Sequence, residues 1–83
     1  MNWIAPSGFD WEITGIEIYA NPVVYIFNRW GDRIAVIENY NNATNAWDGM
    51  NYVTNTPVVY GTYYYIIEDG GTRVKDGWLQ VVK

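Results

Sequence analysis

Apolar residues in this chain do not recur at helical spacing; they come in short β-branched and aromatic runs, stopped every eight to twelve residues or so by Gly, Asn, Asp or Pro. Such punctuation suits strands, whose side chains alternate between two faces, and leaves a helix without a continuous apolar stripe. The runs predict strands over residues 11–14, 16–19, 23–28, 33–38, 62–68, 72–75 and 78–82. Asn21-Pro22, Trp30-Gly31-Asp32 and Asp69-Gly70-Gly71 mark turns, with Gly31 and Gly70 expected to supply positive φ. The segment 39–60 is polar and rich in Asn and Thr, and Trp47 and Tyr52 are expected to tie it down.

Strands this short cannot hide a shared apolar face in one flat layer. The expected architecture is therefore all-β: one domain over residues 1–83, folded as an immunoglobulin-like antiparallel β-sandwich of about seven strands. The run Gly61-Thr62-Tyr63-Tyr64-Tyr65 resembles the corner of such folds, in which the Tyr two places after Gly turns inward. Period-2 alternation then places Tyr63, Tyr65 and Ile67 in the core and Thr62, Tyr64, Ile66 and Glu68 on the opposite face. Both faces of this strand are apolar, which leaves Tyr64 and Ile66 to solvent or to a partner.

A chain of 83 residues buries only about 60 per cent of its unfolded surface, so its stability must come from dense packing. Five Trp and eight Tyr supply that density without any disulfide. Cys and His are both absent, which removes thiolate chemistry and nearly all zinc or copper sites. Ser7 is the sole serine, so the usual nucleophile and base pair cannot be assembled. Only carboxylates remain as candidate catalysts, and Glu12, Glu17, Glu38, Glu68, Asp69 and Asp76 lie at strand ends or alternate with apolar residues, as solvated positions do. No catalytic residue, cofactor or metal is assigned. Residues 7–10 and 69–72 carry oxygens that suit calcium but lack the alternating Asp/Asn run of a calcium loop, and turn formation is the simpler role. The net charge of −4 disfavours nucleic acid, and no apolar run approaches the roughly 18 residues needed for membrane insertion.

Asn28-Arg29-Trp30-Gly31 reads first as a structural turn. An Asn can hold the turn backbone, an Arg stem can lie on an aromatic ring, and Trp30 is expected to fill the end of the sandwich. Trp47-Asp48-Gly49 reads the same way, as a Trp knob followed by a turn-capping Asp and a permissive Gly.

In order along the chain, Ile26-Phe27-Asn28-Arg29-Trp30-Gly31, Tyr40-Asn41, Trp47-Asp48-Gly49, Pro57-Val58, Gly61-Thr62-Tyr63-Tyr64-Tyr65 and the closing Gly77-Trp78-Leu79-Gln80-Val81-Val82-Lys83 resemble the gliding-motility-associated C-terminal domain. That family is the type B sorting domain of type IX secretion cargo in Bacteroidota. The resemblance implies a non-catalytic signal at the end of a larger protein, from which this piece is expected to have been cut. It further implies passage through the periplasm to the cell surface or medium, with the type IX machinery and the N-terminal cargo domains as partners. Candidate contacts with a partner are Asn28, Arg29, Trp30 and Gly31 in the turn, Tyr60 and Tyr64, and Trp78, Gln80 and Lys83 in the final strand.

The chain departs from the family pattern in three places. Ala5-Pro6-Ser7-Gly8-Phe9-Asp10 is a shortened, less acidic opening loop, Ala20 stands where a Tyr-Pro-Asn-like turn is expected, and Val59-Tyr60 replaces the usual Pro-Asp. These changes motivate the alternative of a carbohydrate- or protein-binding β-sandwich, natural or engineered, with Trp3, Phe9 and Tyr60 gathered on one exposed patch.

Overall fold

A computed structural model of the protein describes residues 2–6 and 11–82, with side chains from residue 11 to residue 81. Seven strands form two sheets. β1 (Asn2–Pro6), β2 (Pro22–Phe27), β3 (Arg33–Glu38), β6 (Gly61–Asp69) and β7 (Thr72–Val82) build a five-stranded sheet in the order β1-β7-β6-β2-β3. β4 (Met50–Asn51) and β5 (Thr56–Pro57) form a small antiparallel pair. Within the large sheet β7, β6, β2 and β3 are mutually antiparallel, whereas β1 runs parallel to the second half of β7, from Asn2 beside Trp78 to Pro6 beside Val82.

The all-β architecture and the number of strands agree with the sequence, but the strand inventory does not. Residues 11–14 and 16–19, expected as strands, are an irregular segment followed by a short 3₁₀ turn over Ile16–Ile18. Gly15, with φ 85°, interrupts the extended path between them. Trp11 and Ile13 alternate as a strand would and Ile16 falls out of that phase; all three are buried, but their backbone is paired by other means. Trp11 N donates to Trp47 O at 2.8 Å, and the Asn42 side chain clamps Ile13 by accepting from its N–H at 2.8 Å and donating to its C=O at 2.9 Å. A single amide thus does the work of a neighbouring strand. The sequon Asn42-Ala43-Thr44 has its acceptor nitrogen committed to this clamp.

The expected strands 72–75 and 78–82 are one strand, β7, continuous through Asp76-Gly77. Gly77 reads as a break, yet it is a packing device. It lies opposite Tyr65 on β6, and a Cβ there would come within 2.9 Å of the Tyr65 hydroxyl and 3.1 Å of its ring. The Tyr65 ring lies over the space that a side chain would otherwise fill. Gly77→Ala is expected to destabilise the domain by about 1–3 kcal/mol, the usual cost of overpacking, visible as a lowered Tm in thermal unfolding followed by circular dichroism. An unchanged Tm would mean that the Tyr65 ring swings aside freely.

The core lies between the large sheet and a second layer made chiefly of loop. Val24, Ile26, Ile37, Tyr63, Tyr65, Ile67, Leu79 and Val81 point in from the sheet, and Trp11, Ile13, Ile16, Tyr40, Trp47 and Val58 cover them. Tyr63, Tyr65 and Ile67 are buried while Thr62, Tyr64, Ile66 and Glu68 face outward, as the alternation required. β3 breaks the period: the register shifts at Ile26/Phe27, and Ile34 and Ala35 are both buried. Trp11 is the hub, edge-on to Tyr65 at 5.0 Å, Tyr40 at 6.3 Å and Trp47 at 6.5 Å between ring centroids. Trp47 fastens segment 39–60, as expected, with its ring buried and its indole N–H donating to Met50 O at 2.9 Å. Tyr52 ties the same segment through its backbone N–H, which donates to Ile34 O at 2.8 Å, while its ring stays exposed. The start of β6 has the expected corner, with the Tyr63 hydroxyl donating to Val59 O at 2.7 Å. Burial raises the Tyr63 and Tyr65 phenol pKa values.

Candidate recognition surface

The outer face of the large sheet carries a row of rings that the strand register sets side by side. Phe27 on β2 lies opposite Tyr64 on β6, and Tyr64 lies opposite Trp78 on β7. Tyr64 and Trp78 are 4.9 Å apart at 60°, and Phe27 and Tyr64 are 6.5 Å apart at 48°. Trp78 is 48% exposed on this rigid backbone. The next row holds Tyr25 opposite Ile66 and Ile66 opposite Asp76. The Tyr25 hydroxyl donates to Glu68 Oε1 at 3.1 Å, a bond to a carboxylate that raises its pKa. The Tyr64 pKa is raised first by desolvation among its neighbours and then by a hydrogen bond with Asp76. Toward the far end of the strands, Thr62 pairs with Gln80.

Rings tilted by 48° and 60° make a ridged surface and not a flat sugar-stacking platform. Trp78, Tyr64, Phe27 and Tyr25 stand on this face beside Arg33, Glu68, Asp76 and Gln80.

The turn 28–31 closes the β2–β3 hairpin at the same end. Asn28 Oδ1 accepts from the backbone N–H groups of Trp30 at 3.0 Å and Asp32 at 2.9 Å, and Asn28 Nδ2 donates to Asp32 Oδ2 at 3.3 Å. Gly31 sits at φ 86°. Asn28 thus locks the turn, as the sequence suggested. Trp30 does not fill the sandwich end: it is 73% exposed, because the locked turn presents it at the tip. Its ring is covered in part by the Arg29 guanidinium, 4.4 Å from the ring centroid.

Tyr60 meets this turn. Arg29, Trp30, Val59, Tyr60, Thr62 and Tyr63 line a depression of about 150 Å³. Of the candidate contacts, Asn28, Arg29, Trp30, Gly31 and Tyr60 therefore gather at one end of the sheet, and Tyr64 and Trp78 lie on its outer face, linked to that end by Thr62 and Gln80. Lys83 lies outside the described residues, as do the whole of Phe9 and the side chain of Trp3. The final strand has no free edge over residues 78–81, since β6 pairs with it on one side and β1 on the other, which leaves its outward side chains open to a partner. Phe27, Tyr25 and Val59 were missed in the sequence. The signal for Phe27 was its place two residues after Tyr25 in an alternating run, but only the register shows that it meets Tyr64.

The candidate calcium loop 69–72 is the β6–β7 turn. Gly70 and Gly71 take positive φ, and Asp69 Oδ1 accepts from Asn21 N at 3.0 Å.

A family model described as the CHU_C type IX secretion signal domain matches residues 5–81. The chain belongs to this family. Neither a curated protein nor a solved structure matches it. As a type IX secretion signal domain, the protein is a C-terminal sorting signal: it engages the secretion machinery and directs an attached cargo to the cell surface or medium. Catalysis is not the normal business of such a family. Within this signal domain the NRWG turn and the GTYYY corner are both supports, one holding a hairpin tip and the other the start of β6.

Proposed function

We propose that the secretion machinery reads this domain through the outer face of the five-stranded sheet, after the cargo that carries the domain at its C-terminal end has reached the periplasm. The observation that carries this reading is the outward-facing row of half-buried Phe27 and Tyr64 and exposed Trp78, held in register on three adjacent strands with no layer over it among the described residues. A folded signal without an active site must be recognised by shape and contact, and aromatic side chains on a rigid sheet supply large contact area at low entropic cost. Gln80 and Thr62 give that row a polar rim.

The test is export of a reporter fused ahead of the domain in a cell with a working type IX system. Trp78→Lys and Tyr64→Lys are expected to cut export at least tenfold, since losing about 2 kcal/mol at a contact hot spot weakens binding roughly thirtyfold. Thermal unfolding of the purified variants checks that the fold is retained. Undiminished export of both folded variants would rule out the outer face.

A further inference from the structure

We propose that the depression at the end of the sheet, beside the Asn28–Gly31 turn, is a pocket for one apolar side chain of a protein partner with a carboxylate next to it, and that Arg29 reads the carboxylate. This deepens the outer-face reading and rests on it.

Two observations carry the inference. The first is shape and polarity. The depression of about 150 Å³ suits a single branched or aromatic side chain. Its walls include Trp30, Val59 and Tyr60, which are 73%, 75% and 64% exposed. Large apolar residues concentrated on turns around a concavity are costly to leave in water, and contact with a partner removes that cost. Thr62 connects this pocket to the Phe27, Tyr64 and Trp78 row, since it lines the one and precedes Tyr64 by a single outward step on β6.

The second observation is charge. The Arg29 guanidinium sits over the Trp30 ring, 4.4 Å from its centroid, which holds the charge at the tip of the turn. Among the described residues the ion pair present is Arg73 with Asp76 at 3.4 Å, so no described carboxylate pairs with Arg29. Asp32, close in sequence, spends one carboxylate oxygen on the Asn28 side chain and belongs to the turn. The protein as a whole carries a net charge of −4, so an acidic partner is repelled over most of the surface. Arg29 is a local exception. It accepts a carboxylate at one position and so fixes the register of a partner that is neutral or basic elsewhere.

The probes are two blocked dipeptides, acetyl-Phe-Glu-amide and acetyl-Phe-Gln-amide, titrated into the full 83-residue chain and followed by the backbone amide resonances of Gly61 and Thr62. The Glu peptide is expected to bind about three- to fivefold more tightly at low salt, the size of a partly exposed ion pair, with the gap closing at high salt. Arg29→Gln is expected to abolish the gap and Arg29→Lys to keep most of it, while neither moves the Tm by more than a few degrees. Equal affinity for both peptides, no shift with either, or an undiminished gap in Arg29→Gln would overturn the proposal. Reporter export separates it from the broader reading. Loss with Trp78→Lys but not with Arg29→Gln keeps the outer face and removes the pocket. Normal export with both removes the face itself, and loss with both supports the pocket.

Discussion

Trp11→Ala is expected to leave the domain largely unfolded at 37 °C. Trp11 is 2% exposed, and its indole touches Tyr40, Trp47 and Tyr65 at once, so it joins the loop layer to the sheet. Truncating a buried Trp to Ala costs about 3–5 kcal/mol. A domain of this size has only about 4–12 kcal/mol to lose. In a domain of this length each kcal/mol is worth about 4–8 °C, so the Tm should fall by at least about 12 °C. Near-ultraviolet circular dichroism, which reports fixed aromatic packing, together with urea titration, measures the effect directly. A fall of less than about 5 °C would show that the two layers close over the missing ring. Trp11→Phe, which keeps part of the contact, should lose roughly half as much.

Tyr40→Phe is expected to cost about 2–6 kcal/mol although it removes one hydroxyl. The Tyr40 hydroxyl is buried, accepts from Trp47 N at 2.9 Å and donates to Trp11 O, so it bridges two residues whose backbones are already joined by the bond from Trp11 N to Trp47 O. Phenylalanine fills the same volume and keeps the ring contact with Trp11, so the change isolates the two hydrogen bonds. Removing their common partner leaves a buried N–H and a buried C=O, each penalised by about 1–3 kcal/mol. Urea denaturation gives the value, and slowed amide exchange at Trp47 in the wild type should be lost in the variant. A loss under about 0.5 kcal/mol would mean that water enters to replace the hydroxyl. On the proposed reading of the signal as a folded surface, either variant should also depress export of a fused reporter.

β2 and β6 were legible because each alternates over five or more residues, and β3 because its β-branched run, alternating from Ala35 to Glu38, ends at Asn39. The inward phase of Tyr63, Tyr65 and Ile67 followed from that alternation. Elsewhere the pattern was present but its backbone meaning was not. Trp11 and Ile13 alternate like a strand, yet Asn42, nearly thirty residues away, supplies the pairing. Gly77 looks like a stop because nothing local reveals that Tyr65 needs the space. β1 escaped notice because a short parallel edge strand ending in Pro has no turn to announce it. For the recognition surface, Tyr64 and Trp78 were individually legible as outward aromatics. Their contact with each other and with Phe27 depends on register, which one chain read in order does not display. Trp30 was misplaced for a simpler reason: apolar bulk suggested the core, while the hydrogen bonds of Asn28 decide where the turn points.

β7 is last in the chain but lies inside the sheet, between β6 and β1. During synthesis β2, β3 and β6 can pair before it is made, but β1 has no neighbour until then, and Leu79 and Val81 are missing from the core. A polypeptide that stops before Thr72 therefore presents an open β6 edge and no Trp78, and it cannot display the finished surface. In a cargo that carries this domain at its end, the proposed surface is complete only once β7 has been made, so a product that stalls or is clipped before Thr72 would lack it.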